Sequence, residues 1–128
     1  MQIELPYPPS VNHYWRRVGP RTLISREGRR FRERVVAILA ALGIRPLAGE
    51  LAVEVELYPP DGRRRDIDNA LKALLDSLAH GGAYIDDSQI VDIRIRKCTV
   101  VTLGKVRVTL RQLEDKDDGT TDRRLGGN

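Results

Sequence analysis

The sequence predicts a small mixed α/β domain, with a sheet of about four strands and two main helices, on three observations. Two stretches repeat apolar residues at intervals of three and four, which gathers them on one helix face. Four others alternate apolar with polar residues, the period of a strand with one buried side. All of this falls within 128 residues, 41% hydrophobic and 31% charged, enough to bury one core and short for two domains. Residues 1–113 read as the domain and 114–128 as a charged tail.

Met1 to Leu5 alternates as a short strand. Pro6-Tyr7-Pro8-Pro9-Ser10 ends it, because proline lacks the amide donor that a sheet ladder needs. Asn12-His13-Tyr14-Trp15-Arg16-Arg17 reads as an irregular loop that concentrates rings and guanidinium groups in a chain only 5% aromatic. Asn12, Tyr14, Arg16 and Arg17 are candidate nucleic-acid contacts, by stacking on bases and binding phosphates. The alternative is that Tyr14 and Trp15 simply anchor the loop to the core.

From Ser25 a helix follows, with Phe31, Val35, Ile38, Leu39 and Leu42 as its apolar stripe, Ser25 as cap, and Gly43 and Pro46 at its end. Its first turns carry five arginines, relieved by Glu27 and Glu33, either a solvated face or a flank for nucleic acid. Leu51, Val53, Val55 and Leu57 form the buried side of a strand, and Pro59-Pro60-Asp61-Gly62 turns the chain. A second helix is predicted from about Asp66 to His80, with Ile67, Leu71, Leu74, Leu75 and Leu78 inward, Asp66 as cap and Gly81-Gly82 as stop.

In the next strand Val91, Ile93 and Ile95 face one way and Asp92, Arg94 and Arg96 the other, with Asp86 and Asp87 at its entrance. The last strand, Val106 to Leu110, reads as its hairpin partner, because Gly104 lies in the short connection. Beyond Leu113 the composition turns polar and aperiodic, which predicts disorder.

Charge narrows the function. The formal net charge is +4, but residues 114–128 hold five acids against three bases, so residues 1–113 carry +6. Much of it is arginine, whose planar fork grips phosphate in two places, and a basic domain leans towards polyanions. Cys98 is the one cysteine, so no internal disulfide or thiolate cluster forms within a subunit. No apolar run approaches ~18 residues and no leader-like pattern opens the chain, which predicts a soluble cytoplasmic protein with no membrane partner.

The chemistry concentrates between Arg63 and Lys72. Arg63, Arg64 and Arg65 run into Asp66, Asp68 and Asn69 at a helix start, with Lys72 one turn on. This suits an anionic substrate beside a metal cation, as in cleavage of a phosphodiester. The plain structural reading is a cap, a charge near the helix dipole and an Asp68–Lys72 ion pair, together about 1–2 kcal/mol. Hard cations such as Mg²⁺ take carboxylates and water. Asp66 and Asp68 would supply them with an aspartate from Asp86-Asp87, provided that helix and strand pack side by side. Neighbouring side chains on extended backbone point to opposite faces, so only one of that pair lines a given site. No phosphate loop, zinc-spaced His-Glu pair or nucleophile beside a base competes, and no small-molecule cofactor is indicated.

The chain resembles the RusA-type Holliday junction resolvases, the crossover junction endodeoxyribonucleases of bacteria and their phages. The resemblance is carried by Leu5-Pro6-Tyr7-Pro8-Pro9-Ser10-Val11-Asn12, by Ser25-x-Glu27-Gly28, by Arg63 to Lys72 and by Ile85-Asp86-Asp87-Ser88-Gln89-Ile90-Val91, in order over roughly residues 3 to 112. It implies an intertwined homodimer, paired symmetrical nicks in four-way junction DNA, and dependence on Mg²⁺ or Mn²⁺. The family's essential acids fall on Asp66, Asp68 and Asp87 and its lysine on Lys72. Asn69 and Asp86 match neighbouring positions, and Arg65 falls on a DNA contact. The arginine-rich first helix and the acidic tail depart from the family's pattern.

Substrate symmetry also argues for a dimer, since a near-twofold junction needs two nicks and one chain offers one acidic site. A bacterial, prophage-borne gene fits the resemblance. Two other readings stay open: a non-catalytic protein that binds branched or single-stranded nucleic acid, and a nuclease acting on RNA or flaps. The junction-resolvase reading requires the carboxyl groups of residues 66, 68 and 87 to converge beside Lys72.

Overall fold

The structure is a computed structural model that describes residues 1–114. In chain order it comprises β1 (Gln2–Leu5), α1 (Val11–Tyr14), β2 (Trp15–Val18), β3 (Arg21–Ile24), α2 (Arg26–Ala41), β4 (Leu51–Tyr58), α3 (Leu71–His80), β5 (Ile90–Lys97) and β6 (Lys105–Gln112). Apart from Glu114, the predicted disordered tail lies outside the described residues. None of the described helices is long and apolar enough to cross a membrane.

Four strands form a mixed sheet in the order β1-β6-β4-β5, in which β4 and β5 are parallel and the other pairs antiparallel. β4 takes a central place because its alternation is the most apolar: Leu51, Val53, Val55 and Leu57 are all buried. They stand beside Val106, Val108 and Leu110 of β6, which in turn flank Ile3 and Leu5 of β1. Phe31, Val35 and Leu39 of α2 and Ala73, Leu74 and Leu78 of α3 join them in one cluster. Each large side chain so buried is worth about 1.5–3 kcal/mol. The other face of the sheet is charged.

Parallel pairing of β4 and β5 requires a crossover, and α3 is that crossover. The predicted hairpin between the last two strands is therefore corrected: β5 and β6 lie on opposite sides of β4. Residues 98–104 step across its end, where the amides of Cys98 and Val101 donate to the carbonyls of Leu57 and Pro59 at 2.7 and 2.9 Å. The step is only two strand spacings, about 10 Å, which seven residues span as easily as they close a hairpin.

The predicted loop at 12–17 is also corrected. It is the short helix α1 followed by a hairpin in which Trp15 pairs with Ile24 and Val18 with Arg21. Tyr14 is fully buried, its ring edge-on to Trp15 with centroids 4.9 Å apart. Ser25 caps α2 as predicted, accepting from the Gly28 amide at 2.9 Å while its hydroxyl donates to the His13 carbonyl. Gly28 is needed for this join, because a Cβ there would stand 2.5 Å from the Tyr14 carbonyl oxygen. α2 ends at Ala41, so Leu42 is exposed instead of completing the stripe.

Candidate active site

The second helix begins five residues later than its apolar pattern suggested. Asn69 N–H donates to Asp66 O and Leu71 N–H to Asp68 O, both at 3.1 Å, so residues 66–71 form two overlapping four-residue turns ahead of α3. Asp66 is therefore not the cap. That place falls to Ala70, which offers no side-chain hydrogen bond. Ile67, predicted in the core stripe, is exposed, as are Asp66, Asp68 and Lys72. The predicted helical pair of Asp68 with Lys72 does not form, since Asp68 lies outside the helix, and the ion pairs of the described residues include neither.

This acidic turn is fastened from three directions. Lys97 Nζ at the end of β5 donates to Arg65 O at 2.8 Å, and Val11 N–H donates to Asn69 O at 2.9 Å. The Arg65 guanidinium pairs with Asp61 at 2.9 Å and lies 5.7 Å from the centre of the Tyr7 ring. Hydrogen bonds from the Arg65 side chain, then from the Arg63 amide, hold the Asp61 carboxyl down at about 2. By sequence Asp61 is a turn residue, and the one local sign of its pairing is that it stands four residues before Arg65. Lys97, 32 residues from Arg65, carried no local signal.

Asp86 and Asp87 divide their roles. Asp86 is extended and caps the short 3₁₀ turn Asp87–Gln89, accepting from Ser88 N–H at 2.9 Å, and hydrogen bonding to Ser88 depresses its carboxyl. Gln89 locks the turn by accepting from the amides of Ile85 and Asp86 and donating to the carbonyls of Leu47 and Gly49. Asp87 is exposed and lies near the buried Tyr84, whose phenol donates to Leu75 O at 2.7 Å. Burial raises that phenol, and the Asp87 charge raises it further.

The predicted convergence of residues 66, 68 and 87 does not occur within one subunit. Among the described residues, no three of His, Cys, Asp and Glu come close enough together to hold a metal ion. Sheet topology gives the reason. In the parallel register Leu51 pairs with Ile90 and Leu57 with Lys97. Asp87, just before β5, therefore stands at one end of the strand, while the acidic turn is tied to Lys97 at the other. Eight residues of strand span about 23 Å. The donors suit a hard divalent cation, being exposed carboxylates free of ion pairs, but a single chain leaves the set incomplete.

The basic candidates do come together. A cleft of about 350 Å³ runs along Tyr7, Ser10, Arg63, Arg64 and Asn69. At His13 and Glu27 it continues into a shallower groove lined by Asn12, Arg16, Arg26 and Arg30. Of the five arginines on the first turns of α2, Arg26 and Arg30 thus flank the cleft, while Arg32 pairs with Asp76 at 2.7 Å and Arg29 and Arg34 line neither depression. Arg17 is exposed but lines neither depression, and buried Tyr14 cannot stack on a base, which corrects its place among the nucleic-acid contacts.

Residues 6–111 match the family profile described as endodeoxyribonuclease RusA. The chain is 43% identical over 114 residues to the crossover junction endodeoxyribonuclease rusA of Enterobacteria phage HK97, covering 88% of this chain and 95% of that one. It is 41% identical over 113 residues to the crossover junction endodeoxyribonuclease RusA of Escherichia coli K12, covering 87% and 93%. The same identity and coverage hold for the protein of Enterobacteria phage 82.

Proposed function

The chain belongs to the RusA endodeoxyribonuclease family, and on that premise we propose that it is a structure-selective DNA endonuclease that resolves four-way junctions by paired symmetrical nicks in recombination and repair. The observation that carries this reading is the 43% identity spanning 95% of a phage relative whose name states the activity. Relatives in two phages and in Escherichia coli support a prophage-borne, cytoplasmic protein.

The cation is Mg²⁺, with Mn²⁺ as a substitute, and Asp66, Asp68 and Asp87 would hold it. Bound there, it would supply the activation of water and the withdrawal of charge from the phosphate oxygens. Arg63, Arg64 and Asn69 along the cleft, with Asn12 and Arg16 beyond, bind phosphates and lay the strand across the acidic turn. Arg65, whose guanidinium is committed to Asp61 and Tyr7, positions that turn as well as facing the cleft. Lys72, exposed in the first turn of α3, neutralises charge on the departing oxygens. Asp86 is spent on its cap and supports Asp87 structurally.

Each site is shared by the two subunits of a homodimer, Asp66 and Asp68 coming from one and Asp87 from the other. The separation imposed by the β4–β5 register supports this, because no local adjustment of one chain carries a residue from one end of an eight-residue strand to the other. A twofold dimer then presents two such sites to a near-twofold substrate.

Two experiments test this. Labelled four-way, flap, duplex and single-stranded DNA are incubated with the protein, with and without Mg²⁺; cutting confined to the four-way junction and to Mg²⁺ is expected, and binding without cutting would overturn the enzyme assignment. Separately, inactive Asp68→Asn and Asp87→Asn proteins are mixed and allowed to exchange subunits. A mixed dimer regains one intact site if the site is shared, so nicked junctions appear. Silence from the mixture, with exchange verified, would place all three acids in one subunit.

A further inference from the structure

The loop that crosses the end of β4, residues 98–104, reads Cys-Thr-Val-Val-Thr-Leu-Gly, without a single charge in a chain that is 31% charged. Its apolar side chains are turned outwards. Leu103 is 87% and Val100 54% exposed, and Leu103 is the most exposed of the large apolar side chains among the described residues. Apolar residues scattered singly over a surface are ordinary, but two on one short loop make an apolar tip.

The backbone fixes that tip in an unfavourable shape. Gly104 N–H donates to Val101 O at 2.7 Å, closing the turn Val101–Gly104, while the Val101 amide is itself held by Pro59 O. Within the turn Leu103 has φ +71°, and among the described residues it is the one non-glycine residue in the left-handed region. A leucine is disfavoured there, where glycine is at ease. The strain secures no core packing, because the side chain stays in solvent. Strain of this kind is kept where the displayed side chain has something to meet.

Position says what it meets. Gly104 packs so closely that a Cβ on it would stand 2.9 Å from Tyr7 Cβ and 3.0 Å from Pro60 Cδ. Tyr7 belongs to the wall of the arginine-lined cleft and has the Arg65 guanidinium over its ring. Immediately before the loop, Lys97 holds the acidic turn through Arg65 O. The tip therefore stands at the rim of the cleft, at the same end of the sheet as Asp66 and Asp68. Leucine offers nothing to a phosphate. The part of DNA it suits is the face of a base, reached where a base step opens. Within a duplex arm those faces are stacked, whereas the pairs at the branch of a four-way junction lose a stacking neighbour.

We propose that Leu103 is a wedge that enters the branch point, lies against the face of the first base pair there, and so sets the scissile phosphate over the acidic turn. The proposal rests on the junction-nuclease reading and adds to it a residue that recognises the branch. The cleft arginines grip phosphates of any DNA. The leucine is satisfied only where a base step has opened, so structure selectivity lies with it and the chemistry with the acids.

Leu103→Gly, made in the full chain, tests this, because glycine adopts φ +71° without strain and the variant keeps its turn. A 2-aminopurine base at the branch of an immobile junction brightens when it unstacks. Bound by the Asp68→Asn protein it should brighten roughly threefold, and bound by Asp68→Asn with Leu103→Gly less than about half as much. In single-turnover cutting by protein with its acids intact, Leu103→Gly should be about tenfold slower on a fully paired junction, and Leu103→Met close to wild type. A mismatch at the branch opens the step in advance, and should return Leu103→Gly to within about twofold of the wild-type rate. Equal brightening and equal cutting with leucine and with glycine would overturn the wedge and leave the nuclease reading in place. A glycine variant defective only through weaker subunit association, with full brightening at saturation, would make Leu103 a protein contact and overturn the wedge as well. Wild-type protein that cuts no junction, with Asp68→Asn protein that leaves the base dark, would overturn both.

Discussion

Lys97 Nζ donates to the carbonyl oxygen of Arg65 at 2.8 Å, which ties the end of the edge strand to the turn that carries Asp66 and Asp68. The hydrogen bond reaches the turn and not the acids, so its effect should fall on their placement. Lys97→Met keeps the stem and removes the donor. The cleavage rate in single turnover should fall about tenfold, as expected for a misplaced group, with junction affinity changed less than about twofold. An equal drop in affinity would make Lys97 a DNA contact.

Asp61 reports the integrity of the same turn. Its carboxyl in the folded state lies at about 2, below the ordinary 3.8, because Arg65 and the Arg63 amide bond to the charged form. A depressed carboxyl contributes stability above its unfolded value and loses it as the pH falls through the folded one. Order in the turn should hold from neutral pH down to about 4 and fade towards about 2. Carbon NMR titration of Asp61 reads this directly, and Arg65→Ala should return its midpoint towards 3.8.

Arg64 and Arg65 should part company in salt titrations. Arg64 is exposed on the cleft and free to meet a phosphate, while the Arg65 side chain is 18% exposed and already paired. Arg64→Ala should reduce the slope of log affinity against log salt by about 0.9 for each phosphate that the side chain neutralises. Arg65→Ala should also slow cleavage, because it releases the turn. Identical behaviour of the two variants would contradict the division.

Asp68→Asn removes a charge that repels the phosphate and leaves the amide in its place. Junction binding should persist or strengthen while cleavage in Mg²⁺ is abolished, measured by gel shift and strand-nicking assays. Full cutting by this variant would remove Asp68 from the site.

Tyr14 belongs to a partly buried polar cluster: its hydroxyl donates to Asp76, lies 3.4 Å from Ser77 Oγ, and shares Asp76 with Arg32, which pairs with it at 2.7 Å. Burial, then the hydrogen bond to Asp76, raises the phenol, so it stays protonated and donating. Tyr14→Phe should cost about 1–3 kcal/mol in urea unfolding, with junction affinity unchanged. A selective drop in affinity would restore Tyr14 as a DNA contact.

Local pattern was enough for much of this molecule. The alternation of Leu51 to Leu57 and the stripe of Phe31, Val35 and Leu39 specified a strand and a helix, because burial on one face demands that spacing. The Arg63–Lys72 and Ile85–Val91 motifs named the family before any coordinate. Three features were decided only by tertiary structure. The hairpin of the last two strands gave way to an order with β4 between them, since a short loop closes either arrangement. The helix start moved from Asp66 to Leu71 because Lys97, Arg65 and Val11 hold residues 65–69 in turns, a restraint made by distant residues. Above all, periodicity says which residues share a face but not at which end of a parallel sheet they lie. Asp87 thus looked like a neighbour of Asp66 and Asp68, and the β4–β5 register sets it at the far end of the strand.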